Sequence, residues 1–92
     1  MTIERWQLRV SGKVQGVSYR AYTEQKAQDL RLTGLVRNLP DGQVEIIAEG
    51  PQNDLEALKD WCLSGPPQAR VDDVATETHA ATGEFSGFRI AY

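Results

Sequence analysis

The first hydrophobic pattern along the chain is that of a half-buried strand. Trp6, Leu8 and Val10 alternate with polar residues, and side chains two apart lie on the same face of a strand. The alternation stops in the glycine-containing stretch from Gly12 to Gly16. We therefore predict a strand that runs into a loop.

A helix is predicted after this loop, from about Arg20 to Arg31. Thr23, Ala27 and Leu30 are spaced as i, i+4 and i+7, which places them on one buried face. No proline interrupts the stretch, and Thr33-Gly34 is expected to break the helix.

Two strands joined by a tight turn are predicted next. The second strand begins with Leu35–Leu39, and the third runs from Val44 to Glu49 with alternating hydrophobicity. Pro40-Asp41-Gly42 lies between them, where proline presets φ and Asp-Gly tolerates the left-handed conformations of a hairpin. This pairing predicts that the third strand faces a core on one side.

A second helix is expected to open at Gly50-Pro51, because proline is well placed in a first helical turn. Leu55, Leu58 and Cys62 form its apolar stripe, and Ser64–Pro67 ends it. We interpret Cys62 as a small core residue, since a nucleophilic thiol requires an electropositive, partly exposed setting.

A fourth strand is predicted from Val71 to about Ala80. One face of this strand is expected to carry a set of alternating residues that starts at Val74. Val71 is out of phase with this set, so we predict a bulge near Asp72-Asp73. The residues of the set are Val74, Thr76 and Thr78. His79 falls on the opposite face, and we interpret it as a surface residue without a catalytic role.

Phe88, Ile90 and Tyr92 are expected to form a short last strand. The order β-α-β-β-α-β, followed by this extra strand, is the split βαβ arrangement. The predicted fold class is α+β, a ferredoxin-like sandwich with two helices on one face of a mainly antiparallel sheet. We expect residues 1–92 to form one domain.

Composition and charge limit the classes of function. The 92 residues are 40% hydrophobic and 25% charged, as in an ordinary small globular domain. A net charge of −3 disfavours sequence-independent binding to nucleic acids. There is one cysteine, and neither a signal-peptide pattern nor an apolar run of membrane length occurs. We expect a cytoplasmic monomer without nucleic-acid or membrane partners.

The loop before the first helix is the candidate binding stretch. Gly12 and Gly16 permit positive φ, so successive N–H groups can form a concave anion-binding nest. The helix N-terminus adds unpaired N–H groups, and Arg20 adds a charged fork suited to phosphate oxygens. The alternative is a simple turn, because neither GxxxxGK[ST] nor GxGxxG is present.

Two stretches resemble the signatures of the acylphosphatases. The first is Val10-x-Gly12-x-Val14-Gln15-Gly16-Val17-x-Tyr19-Arg20, and the second is Gly34-Leu-Val-Arg-Asn38-Leu-Pro-Asp-Gly42-Gln-Val44, followed by Gly50. Motif order, length and the closing Phe88-Arg-Ile90 strand also fit that family. Tyr19 stands where the family usually has Phe, and Leu35 where it usually has an aromatic residue. We expect both side chains to face the core.

The resemblance implies an acylphosphatase, a hydrolase that acts on small-molecule acyl phosphates. It implies that Arg20 binds phosphate, that Asn38 orients the attacking water, and that the substrate's own phosphate takes the water's proton. The phosphoryl group would be held by the backbone of one continuous segment, namely Gln15, Gly16, Val17, Ser18, Tyr19 and Arg20. Without the resemblance, we would interpret Asn38 as a residue that caps its own turn and Arg20 as a solvent-exposed cation at the start of a helix.

The residue types absent from the sequence support the same chemistry. It has no Ser-His-Asp set and no carboxylate or histidine cluster with metal-ligand spacing, so we expect no metal and no cofactor. An acyl phosphate leaves as a carboxylate, whose conjugate acid has a pKa of about 4, so it needs no general acid. Placement and charge stabilisation suffice. The alternatives are a non-catalytic anion sensor and, less well supported by charge and motif, an RNA-binding module.

Overall fold

The computed structural model of the chain describes residues 2–91 and shows a five-stranded sheet with two helices. The elements are β1 (Ile3–Lys13), α1 (Tyr19–Asp29), β2 (Thr33–Asn38), β3 (Val44–Pro51), α2 (Gln52–Ser64), β4 (Arg70–Ala80) and β5 (Phe88–Ile90). The strand order is β4-β1-β3-β2-β5. Only the β2–β5 pair is parallel. This confirms the ferredoxin-like α+β fold; the expected strand residue Tyr92 lies outside the described residues.

The core lies between the sheet and the helices, as the strand periodicity predicted. Leu8 and Val36 both lie opposite Ile46 in the sheet, and all three side chains are buried. Ala27 from α1 and Leu58 from α2 belong to the same buried cluster. Full burial of each large aliphatic side chain contributes about 1.5–3 kcal/mol. None of the described helices is long and apolar enough to cross a membrane.

Gly34 has a different role from the predicted one. Helix α1 ends at Asp29, and Arg31 reverses the chain with a left-handed φ of 59°, so the expectation that Thr33-Gly34 breaks the helix was wrong. Gly34 lies within β2 at a φ of 144°, where a Cβ atom would stand 1.8 Å from the carbonyl oxygen of Ile47. Its missing side chain allows β2 and β3 to approach.

The hairpin between β2 and β3 has the predicted turn chemistry. Gly42 N–H donates to the carbonyl of Leu39 at 3.2 Å, and Gly42 has a φ of 94°. The carboxylate of Asp41 accepts the N–H of Gln43 at 3.0 Å. Asp41 therefore caps the turn that Pro40 begins.

The predictions for β4 and α2 are confirmed with one adjustment. Pairing of β1 with β4 shifts between Ser11 and Gly12, which is the bulge expected near Asp72-Asp73. Cys62 is fully buried, and burial raises the pKa of its thiol to about 12, so it is a core residue. Pro51 precedes α2 as its N-cap rather than lying inside the first turn.

The opposite face of the sheet carries Leu35 and a row of charged side chains. Leu35 is half-buried and lies opposite Ile47, so the expectation that it faces the core was wrong. Its neighbours Gly34 and Val36 take the buried positions, and successive side chains on a strand point to opposite faces. His79 is exposed, as expected of a surface residue.

Candidate active site

An open cavity of about 370 Å³ lies where the β1–α1 loop, the start of α1 and the end of β2 meet. The residues that line it are Val14, Gly16, Ser18, Tyr19, Arg20, Ala21, Asn38 and Ile90. The fold therefore brings Arg20 and Asn38 to one cavity, although they lie 18 positions apart in the sequence. Gln15 and Val17 belong to the same loop but do not line the cavity.

The loop backbone has the conformation of an anion nest. Gly16 and Ser18 have left-handed φ angles of 75° and 63°, and alternating conformations of this kind turn successive N–H groups to one side. Within residues 2–91, the N–H groups of Gly16, Val17 and Ser18 have no hydrogen-bond acceptor. A Cβ atom on Gly16 would meet nothing within 4 Å, so a ligand can approach this part of the loop.

Gln15 connects the loop to the β2–β3 hairpin through its side chain. Its Nε2 donates to the carbonyl oxygens of Leu39 and Gln43, both at 2.8 Å. These bonds fix the distance between the loop and the end of β2, where Asn38 lies. Sequence reasoning assigned only backbone binding to Gln15 and missed this role, because the partners are more than 20 positions away.

Tyr19 anchors the start of α1 on the end of α2. Its hydroxyl donates to the carbonyl of Cys62 at 2.8 Å, and its ring packs against Trp61 with centroids 5.5 Å apart. In a helix that carbonyl would bond the N–H four residues later, but Pro66 has none. The tyrosine hydroxyl fills this gap, and burial raises its pKa. The departure from phenylalanine is thus accommodated by one buried hydrogen bond.

Asn38 is the last residue of β2 and is exposed towards the cavity. Across the described part of the chain, its side-chain amide makes no hydrogen bond. The turn that follows is capped by Asp41 instead. This arrangement does not fit the alternative in which Asn38 caps its own turn, and it leaves an amide that can both donate and accept.

Arg20 contributes a positively charged side chain to the cavity wall. It is the second residue of α1, half-buried, and the first turn of that helix contains no acidic residue. Among residues 2–91, the side chains that line the cavity include no carboxylate, histidine or cysteine. The arginine charge and the positive end of the helix dipole both favour an anion at this position, although the net charge of the chain is −3.

The cavity also has an apolar side that sequence reasoning did not assign to it. Ala21 and Ile90 line it with Val14, and Ile90 comes from β5 near the end of the chain. No sequence signal links Ile90 to the loop, because their proximity depends on β5 pairing beside β2. In the part of the chain that the structure describes, no group of three or more His, Cys, Asp or Glu side chains could hold a metal ion.

Comparison with known proteins places these features in one family. A family model described as acylphosphatase matches residues 6–90. The acylphosphatase of Marinobacter nauticus is 62% identical over 92 residues, covering 100% of both chains. A crystal structure of acylphosphatase from Bacillus subtilis matches with a TM-score of 0.93 at 34% identity, covering 97% of this chain and 99% of that one. For an acylphosphatase from Coxiella burnetii the TM-score is 0.91 at 40% identity, with 98% and 94% covered. This chain belongs to the acylphosphatase family of hydrolases.

Proposed function

We propose that the chain hydrolyses the carboxyl–phosphate bond of acyl phosphates without a metal ion, using Arg20 and the loop N–H groups to hold the phosphoryl group. Asn38 orients the attacking water. The observation that carries this proposal is the meeting of Arg20, Gly16, Ser18 and Asn38 at one cavity, where the N–H groups of Gly16 and Ser18 and the amide of Asn38 have no hydrogen-bond partner among residues 2–91.

The leaving group explains why this small set of residues suffices. Phosphoryl transfer is catalysed mainly by positioning and by stabilisation of charge on the phosphoryl oxygens, and donors fixed in advance do this without reorganisation. Among residues 2–91, the lining side chains include no carboxyl, imidazole or thiol group that could act as a general acid. A carboxylate is a good leaving group at neutral pH, since its conjugate acid has a pKa of about 4.

The proposed reaction balances with one water molecule. The water oxygen forms a bond to phosphorus, the bond between phosphorus and the acyl oxygen breaks, and its electron pair leaves with the carboxylate. The water's proton passes to an oxygen of the phosphoryl group, in line with the role that family resemblance implies. The products are a carboxylate and inorganic phosphate.

The proposal includes a monomer that acts in the cytoplasm on small molecules. The support is compositional: a single cysteine, which is buried, and a net negative charge that disfavours nucleic-acid binding. Sedimentation or light scattering of the purified protein tests the monomer, and fractionation of the source cells tests the location.

The decisive experiment measures hydrolysis of benzoyl phosphate and acetyl phosphate in excess EDTA. We expect turnover in the chelator and competitive inhibition by inorganic phosphate. Activity that disappears in EDTA and returns with magnesium would overturn the metal-independent mechanism. Phosphate binding without turnover of either substrate would identify an anion sensor.

Replacing Asn38 with alanine tests its proposed role directly. We expect kcat to fall by about 10²–10³, the usual cost of losing one preorganised group, while the inhibition constant for phosphate stays nearly unchanged. Asn53→Ala is the matched control, because Asn53 is exposed on α2, away from the cavity. Retained turnover in the Asn38 variant would remove this residue from the mechanism.

A further inference from the structure

The side chains on the apolar side of the cavity carry only alkyl groups, which cannot form a hydrogen bond to phosphate. We infer that Ile90 and Ala21 form the subsite for the acyl group, that Ile90 sets the preference for large apolar acyl groups, and that Glu24 is the residue that positions Ile90. This inference rests on the proposed function, because it names the part of the same substrate that the cationic loop does not bind.

The first argument is size. A phosphoryl group has one phosphorus and three oxygen atoms, and at a water-like share of roughly 30 Å³ per heavy atom it fills about 120 Å³. The cavity measures about 370 Å³. The space beyond the phosphoryl group is therefore large enough for a benzene ring or a branched aliphatic chain.

The second argument is the division of the cavity wall. Gly16, Ser18 and Arg20 carry its N–H groups and its positive charge. Ala21 and Ile90 contribute alkyl groups to the same wall. Binding sites for small molecules commonly combine apolar walls with a few orienting polar groups. An acyl phosphate has the same division, with an anionic end and an acyl end of variable size.

The third argument is that Ile90 is held in place from both sides. On one side, Ile90 lies opposite Val36 of β2, and the N–H of Ala91 donates to the Val36 carbonyl at 2.9 Å. On the other side, the carboxylate of Glu24 accepts the N–H of Ile90 at 3.2 Å. The chain at Ile90 is thus bonded to α1 through its own N–H and to β2 through the N–H of the next residue, Ala91.

Glu24 does not act alone on this strand. Gln28, one helical turn further along α1, donates from Nε2 to the carbonyl of Phe88 at 3.0 Å. Two side chains of α1 therefore cover the outer edge of β5, a three-residue strand that would otherwise expose unpaired backbone groups. The helix that presents Arg20 to the phosphoryl group thereby also fixes the wall that faces the acyl group.

The test compares kcat/KM for benzoyl phosphate and acetyl phosphate. The inhibition constant for phosphate is measured in parallel and shows whether the loop still binds phosphate. In Ile90→Ala we expect the benzoyl-to-acetyl ratio to fall on the order of 10-fold, since even one methylene in an apolar pocket changes specificity by about that factor. Ile47→Ala is the matched control. Ile47 is also a half-buried isoleucine, but it lies on the charged face of the sheet, away from this cavity.

Glu24 is tested by two variants. Glu24→Ala removes the acceptor for the Ile90 N–H, so we expect KM for benzoyl phosphate to rise more than kcat falls. Glu24→Gln keeps an acceptor oxygen, and we expect it to restore most of the lost preference. Equal loss in both variants would overturn the positioning role.

The results separate this inference from the proposed function. An unchanged benzoyl-to-acetyl ratio in Ile90→Ala, with both substrates still hydrolysed, overturns the acyl subsite alone. If that variant does not fold, Ile90→Val decides, since it removes one methyl group and must still lower the ratio measurably. Failure of the unaltered protein to hydrolyse either substrate overturns the proposed function and this inference with it.

Discussion

Glu49 holds the segment between β4 and β5 against the central strand of the sheet. Its side chain is 3% exposed and accepts bonds from Thr82 N–H at 2.9 Å, Gly83 N–H at 3.0 Å and Arg5 Nε at 2.7 Å. The Thr82 hydroxyl donates to the same carboxylate. Arg5 also pairs with Glu84 and lies 5.1 Å from the centre of the Phe85 ring. Because these contacts require the ionised carboxylate of Glu49, we expect the free energy of unfolding to decrease as pH falls.

The size and sign of that dependence follow from the pKa of Glu49. Burial acts to raise it, but the hydrogen bonds from Thr82, Arg5 and Gly83 outweigh burial and lower it from 4.5 to about 2. A carboxylate whose pKa is lower in the folded state stabilises the fold above its unfolded pKa, and this contribution disappears as pH falls through the folded value. The difference corresponds to about 3 kcal/mol at neutral pH, of which about 2 kcal/mol is lost by pH 3.

Urea unfolding at pH 7, 5, 4 and 3, followed by tryptophan fluorescence, measures this term. In Glu49→Gln we expect a lower free energy of unfolding at pH 7 and a flatter decline towards pH 3 than in the unaltered protein. Glu45→Gln is the control, because Glu45 lies on the same strand and face but, within residues 2–91, accepts bonds from the side chains of Gln7 and Arg37 and from no backbone N–H. Parallel pH curves for the unaltered protein and Glu49→Gln would refute the reasoning.

Two further predictions concern the loop and its support. Arg20→Gln should weaken phosphate inhibition and lower kcat/KM by ~10² or more. Arg20→Lys should restore little of this loss, because a point charge lacks the planar fork of the guanidinium, and near-normal kinetics in the lysine variant would contradict the geometric argument. Arg9→Gln is the control, because Arg9 is exposed and lies away from the cavity. Tyr19→Phe should lower the free energy of unfolding by about 1–3 kcal/mol, because it leaves the buried Cys62 carbonyl without a donor. Tyr22→Phe, on an exposed tyrosine of the same helix, should change stability by no more than about 0.5 kcal/mol, and equal stabilities of the two variants would show that the Tyr19 bond contributes nothing.

The fold could be predicted because its signals are local. The period of two in β1 and β3, the apolar stripes of α1 and α2, and the Pro40–Gly42 turn each depend on residues close together in sequence. Gly34 was misread because a glycine after a helix usually marks its end, and its actual role depends on the Ile47 carbonyl on another strand. Leu35 was misread because the phase of β2 is set by that same close approach.

Only part of the site could be predicted from the sequence, and there is a physical reason why some of its residues were predicted and others were not. Arg20 and Asn38, which line the cavity, were predicted from motifs that are each continuous in sequence, and their roles stay predictions. Ile90 and the side-chain role of Gln15 were not found, because both depend on contacts between distant segments. Such contacts exist only once the strand order places β5 beside β2 and the loop beside the hairpin.

The loop is supported strongly enough to be formed before a substrate arrives. Ser18 has a left-handed φ of 63°, which costs a residue with a side chain on the order of 1–3 kcal/mol. The loop keeps this conformation because Gln15 makes two bonds on one side of it and Tyr19 is anchored on the other, and each such bond contributes about 1 kcal/mol. In the proposed mechanism, N–H groups held in this way need no rearrangement when charge develops on the phosphoryl oxygens, and this is the condition under which electrostatic stabilisation is most effective.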